Sequence, residues 1–165
     1  MKIIGVDPGT LITGFGIIKV EANHYQAVDY GCIRPPAKFK LTDRYFILFN
    51  GLREILKKHS PDALAVETQY VKNNVQSAIK LGMARCIPIL AAKECGIPIF
   101  EYAPSQAKLA TVGNGHASKT QVQKMVQLLL RLAHPPSPED AADALAIAIC
   151  HAHAVNYQQL LEAEI

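Results

Sequence analysis

The spacing of apolar positions changes period several times along this chain, and each change marks an element. Met1 to Val6 is mostly apolar and β-branched, which predicts a buried strand. Phe15 to Val20 and Tyr25 to Ile33 predict two more strands, with Glu21 to His24 as the turn between them. Three strands joined by short links favour an antiparallel meander. Asp7-Pro8-Gly9-Thr10 reads as a turn after the first strand. Pro8 holds Asp7 extended, and Gly9 is free to take a positive φ.

Helical spacing takes over at Leu41. Tyr45, Leu48, Phe49, Leu52, Ile55 and Leu56 predict an amphipathic helix to His59, stopped by Pro61. Ala63 to Val66 is a short apolar strand ending at Glu67. Asn73 to Cys95 again reads as helix, with a kink or break expected at Pro88, whose ring lacks an N–H and crowds the Ala84 carbonyl. Ile97 to Glu101 predicts a fifth strand and Pro104 to Val112 a short helix. Gly113-Asn114-Gly115 predicts a mobile loop. Ser118 to Ala133 is helical and closed by His134-Pro135-Pro136. Ser137 reads as an N-cap, with Pro138 at the first position of a last helix running to about His153. Beyond Val155 no strong pattern persists, and fraying is expected.

This order predicts an α/β domain with a five-stranded mixed sheet and helices on both faces. It places one domain over residues 1–154 and a tail over 155–165. The length of 165 residues suits a single core, and a hydrophobic content of 50% excludes disorder. There is no secretory signal pattern, and no uninterrupted apolar run that would span a bilayer. A soluble, cytoplasmic protein without a membrane partner is expected. Cys32, Cys86, Cys95 and Cys150 form no Cys-x-x-Cys pair and read as free thiols in a reducing compartment. A zinc site using His151 and His153 is the alternative, weakened because residues i and i+2 diverge on a helix.

The net charge of +3 matters less than its distribution. From Thr68 to Arg131 eight basic residues (Lys72, Lys80, Arg85, Lys93, Lys108, Lys119, Lys124, Arg131) face only Glu94 and Glu101, a local net charge of +6, against −3 for the rest. A basic middle region beside an acidic pocket suits a polyanion held against metal ions; solvated helix faces are the plainer account. Four acids carry the sharper chemistry. Asp7 and Glu67 end apolar strands, and Asp140 and Asp143 share one face of the last helix. Taken singly, Asp7 is a turn former, Glu67 an ordinary strand-end acid, and Asp140 a first-turn complement to the helix dipole. Taken together, they are a candidate cage for two Mg²⁺ ions about 4 Å apart, an arrangement that hydrolyses phosphodiesters.

Tyr70, three residues beyond Glu67, is placed either to stack on an unpaired base or in the core with its hydroxyl bonded. Lys108 and Lys119 flank the glycine loop, and Lys119 lies near a helix N-terminus, where phosphate is favoured. His116 in the same loop is a candidate phosphate contact or a plain surface histidine.

The motifs Gly-Val-Asp-Pro-Gly-Thr (5–10), Thr-Gly-Phe-Gly (13–16), Gly-Cys-Ile-Arg (31–34), Val-Glu (66–67), Ser-Ala-Ile-Lys-Leu-Gly-Met-Ala-Arg (77–85), Phe-Glu-Tyr-Ala (100–103), Lys-Thr-Gln-Val-Gln (119–123) and Asp-Ala-Ala-Asp-Ala-Leu-Ala-Ile-Ala (140–148) occur in order. The chain resembles the RuvC-type Holliday junction resolvases over nearly all of residues 1–154. The resemblance implies a ribonuclease-H-like fold and a Mg²⁺-dependent structure-selective endonuclease, with Mn²⁺ able to substitute, acting in recombination and repair. It implies metal-binding catalytic carboxylates at Asp7, Glu67, Asp140 and Asp143. It implies DNA contacts at Lys108, Lys119 and Tyr70, where phenylalanine is more usual. It also implies a homodimer that nicks opposed strands of a four-way junction, with a T-rich preference, alongside the RuvA–RuvB branch-migration complex. Positive helices would hold the arms, with Lys72, Lys80, Arg85 and His116 as further candidate DNA contacts. Pro88 falls in the helix that resembles the family's dimerisation helix, and the tail shows no match. An RNA–DNA hybrid ribonuclease of the same fold, a catalytically silent junction-binding protein and an actin-like ATPase are the alternatives. The last needs two duplicated domains, for which the chain is short.

Overall fold

The computed structural model describes residues 1–22, 24–68 and 75–162, with side chains as far as Asn156. Its strands are β1 (Lys2–Asp7), β2 (Thr13–Glu21), β3 (His24–Ile33), β4 (Ala63–Glu67) and β5 (Ile99–Tyr102). Its helices are α1 (Leu41–His59), α2 (Val75–Glu94), α3 (Pro104–Val112), α4 (Lys119–Leu129) and α5 (Glu139–Glu162). The sheet order is β3-β2-β1-β4-β5. β1, β2 and β3 form the antiparallel meander, and β4 and β5 add in parallel through helical crossovers. The mixed five-stranded sheet is therefore as the pattern predicted.

Side chains alternate across each strand, so the sheet builds two cores. On one face Ile4, Val6, Ile17, Leu64 and Val66 pack against Leu48, Leu52 and Leu56 of α1 and Ile87, Ala91 and Ala92 of α2. On the other face Ile3 and Ile18 meet Val122 and Val126 of α4 and Leu145 and Ile149 of α5. Ala65 meets Ile147 on that second face. Gly5 and Ala65 each stand two residues before an acid. Asp7 and Glu67 therefore fall on the α5 face.

α5 lies unusually close to that face. A β-carbon at Gly5 would overlap the Ala144 carbonyl, one at Gly14 the Asp140 carbonyl, and one at Gly16 the Leu145 side chain. Three glycines on neighbouring strands thus form a groove that accepts helix backbone. Ala141, Ala142, Ala144 and Ala148, all buried, present a small surface to it. This contact sets the depth at which Asp140 and Asp143 sit relative to the strand ends.

Several boundaries differ from the predicted ones. α2 continues unbroken through Pro88, which is buried in its core-facing side; packing there offsets a cost of about 3 kcal/mol for an interior proline. α4 ends at Leu129, not Ala133. Arg131 turns to φ 52°, Leu132 N–H donates to the Gln127 carbonyl at 2.9 Å, and Arg131 N–H donates to that of Leu128 at 3.2 Å. That pair of bonds is a Schellman motif. α5 begins at Glu139, and the Pro138 carbonyl, not Ser137, accepts the first helical bond, from Ala141 at 3.0 Å. α5 then runs on to Glu162, past the expected end near His153, because no glycine or proline follows Pro138. α2 is long and apolar enough, by length and composition, to cross a membrane, although Gln76, Ser77, Lys80 and Arg85 interrupt it, so it is not an unbroken apolar run.

Gly5→Ala should push α5 off the sheet and lower the unfolding free energy by about 2 kcal/mol, the usual scale for overpacking. Urea denaturation followed by circular dichroism measures it, and an unchanged midpoint would contradict backbone-to-backbone seating of the helix.

Candidate active site

β1 and β4 run side by side, with Val6 opposite Val66, so their next residues, Asp7 and Glu67, emerge together at one end of the sheet. Beyond Asp7 the chain folds back on itself. Thr13, almost fully buried, accepts from Gly9 N–H at 3.4 Å and donates to the Gly9 carbonyl at 3.2 Å. Gly9 does not take the positive φ its type allows; glycine is needed because a β-carbon would collide with the Ile12 carbonyl.

A cleft of about 260 Å³ opens over the strand ends, lined by Asp7, Glu67, Asp143, Lys108 and Lys119 among others. Asp143 comes from the first turns of α5. Lys119 comes from the first residue of α4, whose N-cap Ser118 accepts from Gln121 N–H. Lys119 Nζ donates to Asp143 Oδ2 at 3.2 Å and lies 4.0 Å from Glu139. Asp140 is not among the cleft's lining. It lies one helical turn before Asp143, over Gly14, where its charge is felt by Asp7 and Cys32.

The electrostatics are those of crowded, partly desolvated acids. Burial first, then Glu67, Asp143 and Asp140, push the Asp7 carboxyl up to about 8, with Lys119 opposing. Burial, then Asp143, push Glu67 up to about 7, with Lys119 and Lys108 opposing. Asp143 in turn raises Lys119. Among the described residues no three His, Cys, Asp or Glu side chains meet closely enough to hold one ion as they stand. The acids share a cleft without forming a finished cage, and the zinc alternative gains nothing from the four free cysteines. The donor set nonetheless fits a hard cation. It is all carboxylate oxygen, and two of its members are destabilised as anions by burial and by one another, which a divalent ion between them would relieve.

A family profile described as crossover junction endodeoxyribonuclease RuvC matches residues 3–151. The RuvC of Protochlamydia amoebophila is 63% identical over 150 residues, covering 91% of this chain and 89% of that one. The RuvC of Chlamydia felis is 51% identical over 161 residues, 96% of each chain. The chain belongs to the RuvC family. In three dimensions it is similar to Thermus thermophilus RuvC in complex with Holliday junction substrate, with TM-score 0.90 and 33% identity over 96% of both chains. The yeast mitochondrial Holliday junction resolvase Ydc2, at 15% identity and TM-score 0.63, shares the fold. The fold is thus the ribonuclease-H-like one, and the RuvC family is one of metal-dependent nucleases.

Of the residues singled out in the sequence, Asp7, Glu67, Asp143, Lys108 and Lys119 converge on the cleft, with Asp140 behind them. Tyr70 and Lys72 lie outside the described residues. His116 is exposed before α4 and does not line the cleft, its N–H donating to Asn114 Oδ1 at 3.0 Å. Lys80 lies in α2, where its carbonyl accepts from the Tyr45 hydroxyl at 3.1 Å. Arg85 is turned away: it pairs with Glu101, whose place on β5 faces α2, across the sheet from the acids. Sequence reading missed the glycine groove. Its signal was present in Gly14 and Gly16, two apart on one strand and therefore on one face, with Gly5 opposite Gly16.

The folded chain keeps protons on Asp7 and Glu67 that the unfolded chain releases above about pH 4. These groups therefore contribute stability that is complete below their unfolded pKa values and is lost as pH rises through about 7 and 8. In EDTA the melting temperature should fall between about pH 5 and about pH 8.5, and Asp7→Asn should flatten that fall, ending more stable than the parent by on the order of 1 kcal/mol at the alkaline end. Thermal melts across pH test this; identical slopes for both proteins would refute buried acid repulsion at Asp7.

Proposed function

We propose that this chain is a structure-selective DNA endonuclease that resolves four-way junctions by paired, symmetric nicks during recombination and repair. It acts as a homodimer with two divalent cations per active site, Mg²⁺ in the cell and Mn²⁺ as a substitute. The observation that carries the proposal is the meeting of Asp7, Glu67 and Asp143 with Lys108 and Lys119 in one cleft, on a chain of this family.

Asp7, Glu67, Asp140 and Asp143 would hold the cations. When bound, these ions supply the positive charge that activates water and stabilises the pentacovalent transition state and the leaving oxygen. The chain's own groups do the rest. Burial of Asp7 and Glu67 keeps their side chains fixed and poorly solvated. Lys119, at the N-terminus of α4, and Lys108 present a cationic wall on which a phosphate is drawn in by charge and by free helix N–H groups. Hydrolysis by this geometry passes through no covalent enzyme intermediate and leaves 5′-phosphate and 3′-hydroxyl ends.

The homodimer reading is supported by α2. Val75, Ile79, Met83 and Leu90 are each more than half exposed, at spacings that form one stripe on the helix. An apolar stripe of that kind marks an interaction face, and its composition explains why the helix resembles a membrane span. Work alongside the RuvA–RuvB branch-migration complex, in the cytoplasm, belongs to the same proposal and rests on family membership.

Incubating the protein with a mobile four-way junction and Mg²⁺, then mapping cuts on all strands, should give symmetric nicks near the crossover. Asp7→Asn should lose cleavage by roughly 10³-fold or more while still binding the junction. A fully active Asp7→Asn enzyme would overturn the assignment. Ile79→Lys with Met83→Lys should weaken self-association about 100-fold in sedimentation equilibrium and uncouple the paired nicks; an unaltered dimer would place the interface elsewhere.

A further inference from the structure

Tyr102 and His151 lie outside the cleft, yet they join the two elements that carry Glu67 and Asp143. Tyr102 ends β5 directly opposite Glu67 in the parallel register. Its carbonyl accepts from Thr68 N–H, the residue after Glu67, at 2.8 Å. Its hydroxyl lies 2.8 Å from Nδ1 of His151. His151 is 2% exposed and sits on α5 two turns beyond Asp143, on the stripe continued by Ile147. One tyrosine therefore ties the end of β4 by its backbone and α5 by its side chain. The His151 ring is held from the other side by Phe100, at 4.3 Å between centroids.

This tie stands where the other means of seating α5 runs out. The glycine groove lies on β1 and β2. α5 packs mainly over those strands and reaches β4 and β5 only along one flank. Towards that flank Ala65 and Ile147 make an apolar contact, which tolerates sliding; a directional hydrogen bond to the buried His151 ring does not, because leaving that ring nitrogen unmet costs about 1–3 kcal/mol. Burial also disfavours the charged ring of His151, so the pair is a neutral one.

We propose that Tyr102 and His151 are positioning residues for the metal site: their hydrogen bond fixes the distance between the Glu67 and Asp143 carboxylates. The proposal rests on the assignment of those two acids as cation ligands. Neither residue lines the cleft, so breaking the bond should weaken cation binding and leave the DNA surface as it is.

The test is Mn²⁺ titration by electron paramagnetic resonance on the full chain, with junction affinity measured separately in EDTA. Tyr102→Phe and His151→Leu should each bind Mn²⁺ about tenfold more weakly, the lower end of the range for residues that orient ligands indirectly. Both should need correspondingly more Mg²⁺ for half-maximal cleavage, and both should bind the junction with unchanged affinity. His151→Asn, which keeps a polar group at the Nδ1 position, should recover most of the Mn²⁺ affinity. Parental Mn²⁺ affinity in Tyr102→Phe and His151→Leu would overturn the proposal. So would a loss that His151→Asn fails to restore while its melting temperature stays parental. If the parent protein itself binds no Mn²⁺, the assignment of the acids falls first, and that result is read from the parent alone.

Discussion

The contact on which this molecule depends is the seating of α5, backbone against backbone, in the groove formed by Gly5, Gly14 and Gly16. Two layers of a fold with ordinary side chains between them are held well apart, by about 10 Å for stacked sheets. At that separation the carboxylates of Asp140 and Asp143 would stand back from strand ends that carry Asp7 and Glu67. Removing side chains on both surfaces, with glycine below and alanine above, closes the gap. The acidic site is thus a consequence of the small residues that stand beside and between its acids, Gly5 before Asp7 and Ala141, Ala142 and Ala144 around Asp140 and Asp143.

That choice works against stability. It desolvates Asp7 and Glu67 and sets them beside Asp143 and Asp140, raising both well above the usual carboxylate range. Lys119 offsets part of the repulsion through Asp143, from a side chain that is itself largely exposed. Such an arrangement is poor as a structural network, where acids are matched one for one by cations. It is a good one for a site that must hold added positive charge, because the cation's binding energy includes relief of strain already present. Thr13 closes the 9–13 turn that follows Asp7, on both polar groups of Gly9.

Much of this was legible in the chain, and the parts that were not share a cause. Among the described residues, alternation and helical spacing marked the strands and helices, and strand-end acids marked the candidate site, because both are local patterns. No break occurs at Pro88 because its cost is local and its compensation is not: α2 stays continuous with Pro88 buried, next to Ile87 of the core. Arg85 pairs with Glu101 because β5 points that acid towards α2, on the face of the sheet away from the cleft. Charge along a sequence does not record which face of a sheet receives it. The Tyr102–His151 bond spans 49 residues and lies between two residue types that are common in cores, so nothing in the sequence marks it. Arg131 is a subtler case. A left-handed residue at a helix end usually declares itself as glycine, and here the Gln127 side chain, donating to the Leu132 and Ala133 carbonyls, reinforces the turn instead.

The two faces of the sheet carry different tasks, and β4 connects them. Ala65 and Glu67 point towards α5 and the cleft, while Leu64 and Val66 point towards α1 and α2. Only seven residues separate Glu67 from Val75, where the exposed stripe of α2 begins. A partner docked on that stripe, as proposed, would sit within a few residues of chain from Glu67. An enzyme that must cut two strands in concert needs its two sites held at a fixed separation. In the proposed homodimer, a self-association helix that follows so soon after the strand carrying Glu67 would meet that need with few intervening residues. Pro88 is buried on the side of α2 away from this stripe, so the exposed side keeps its apolar residues.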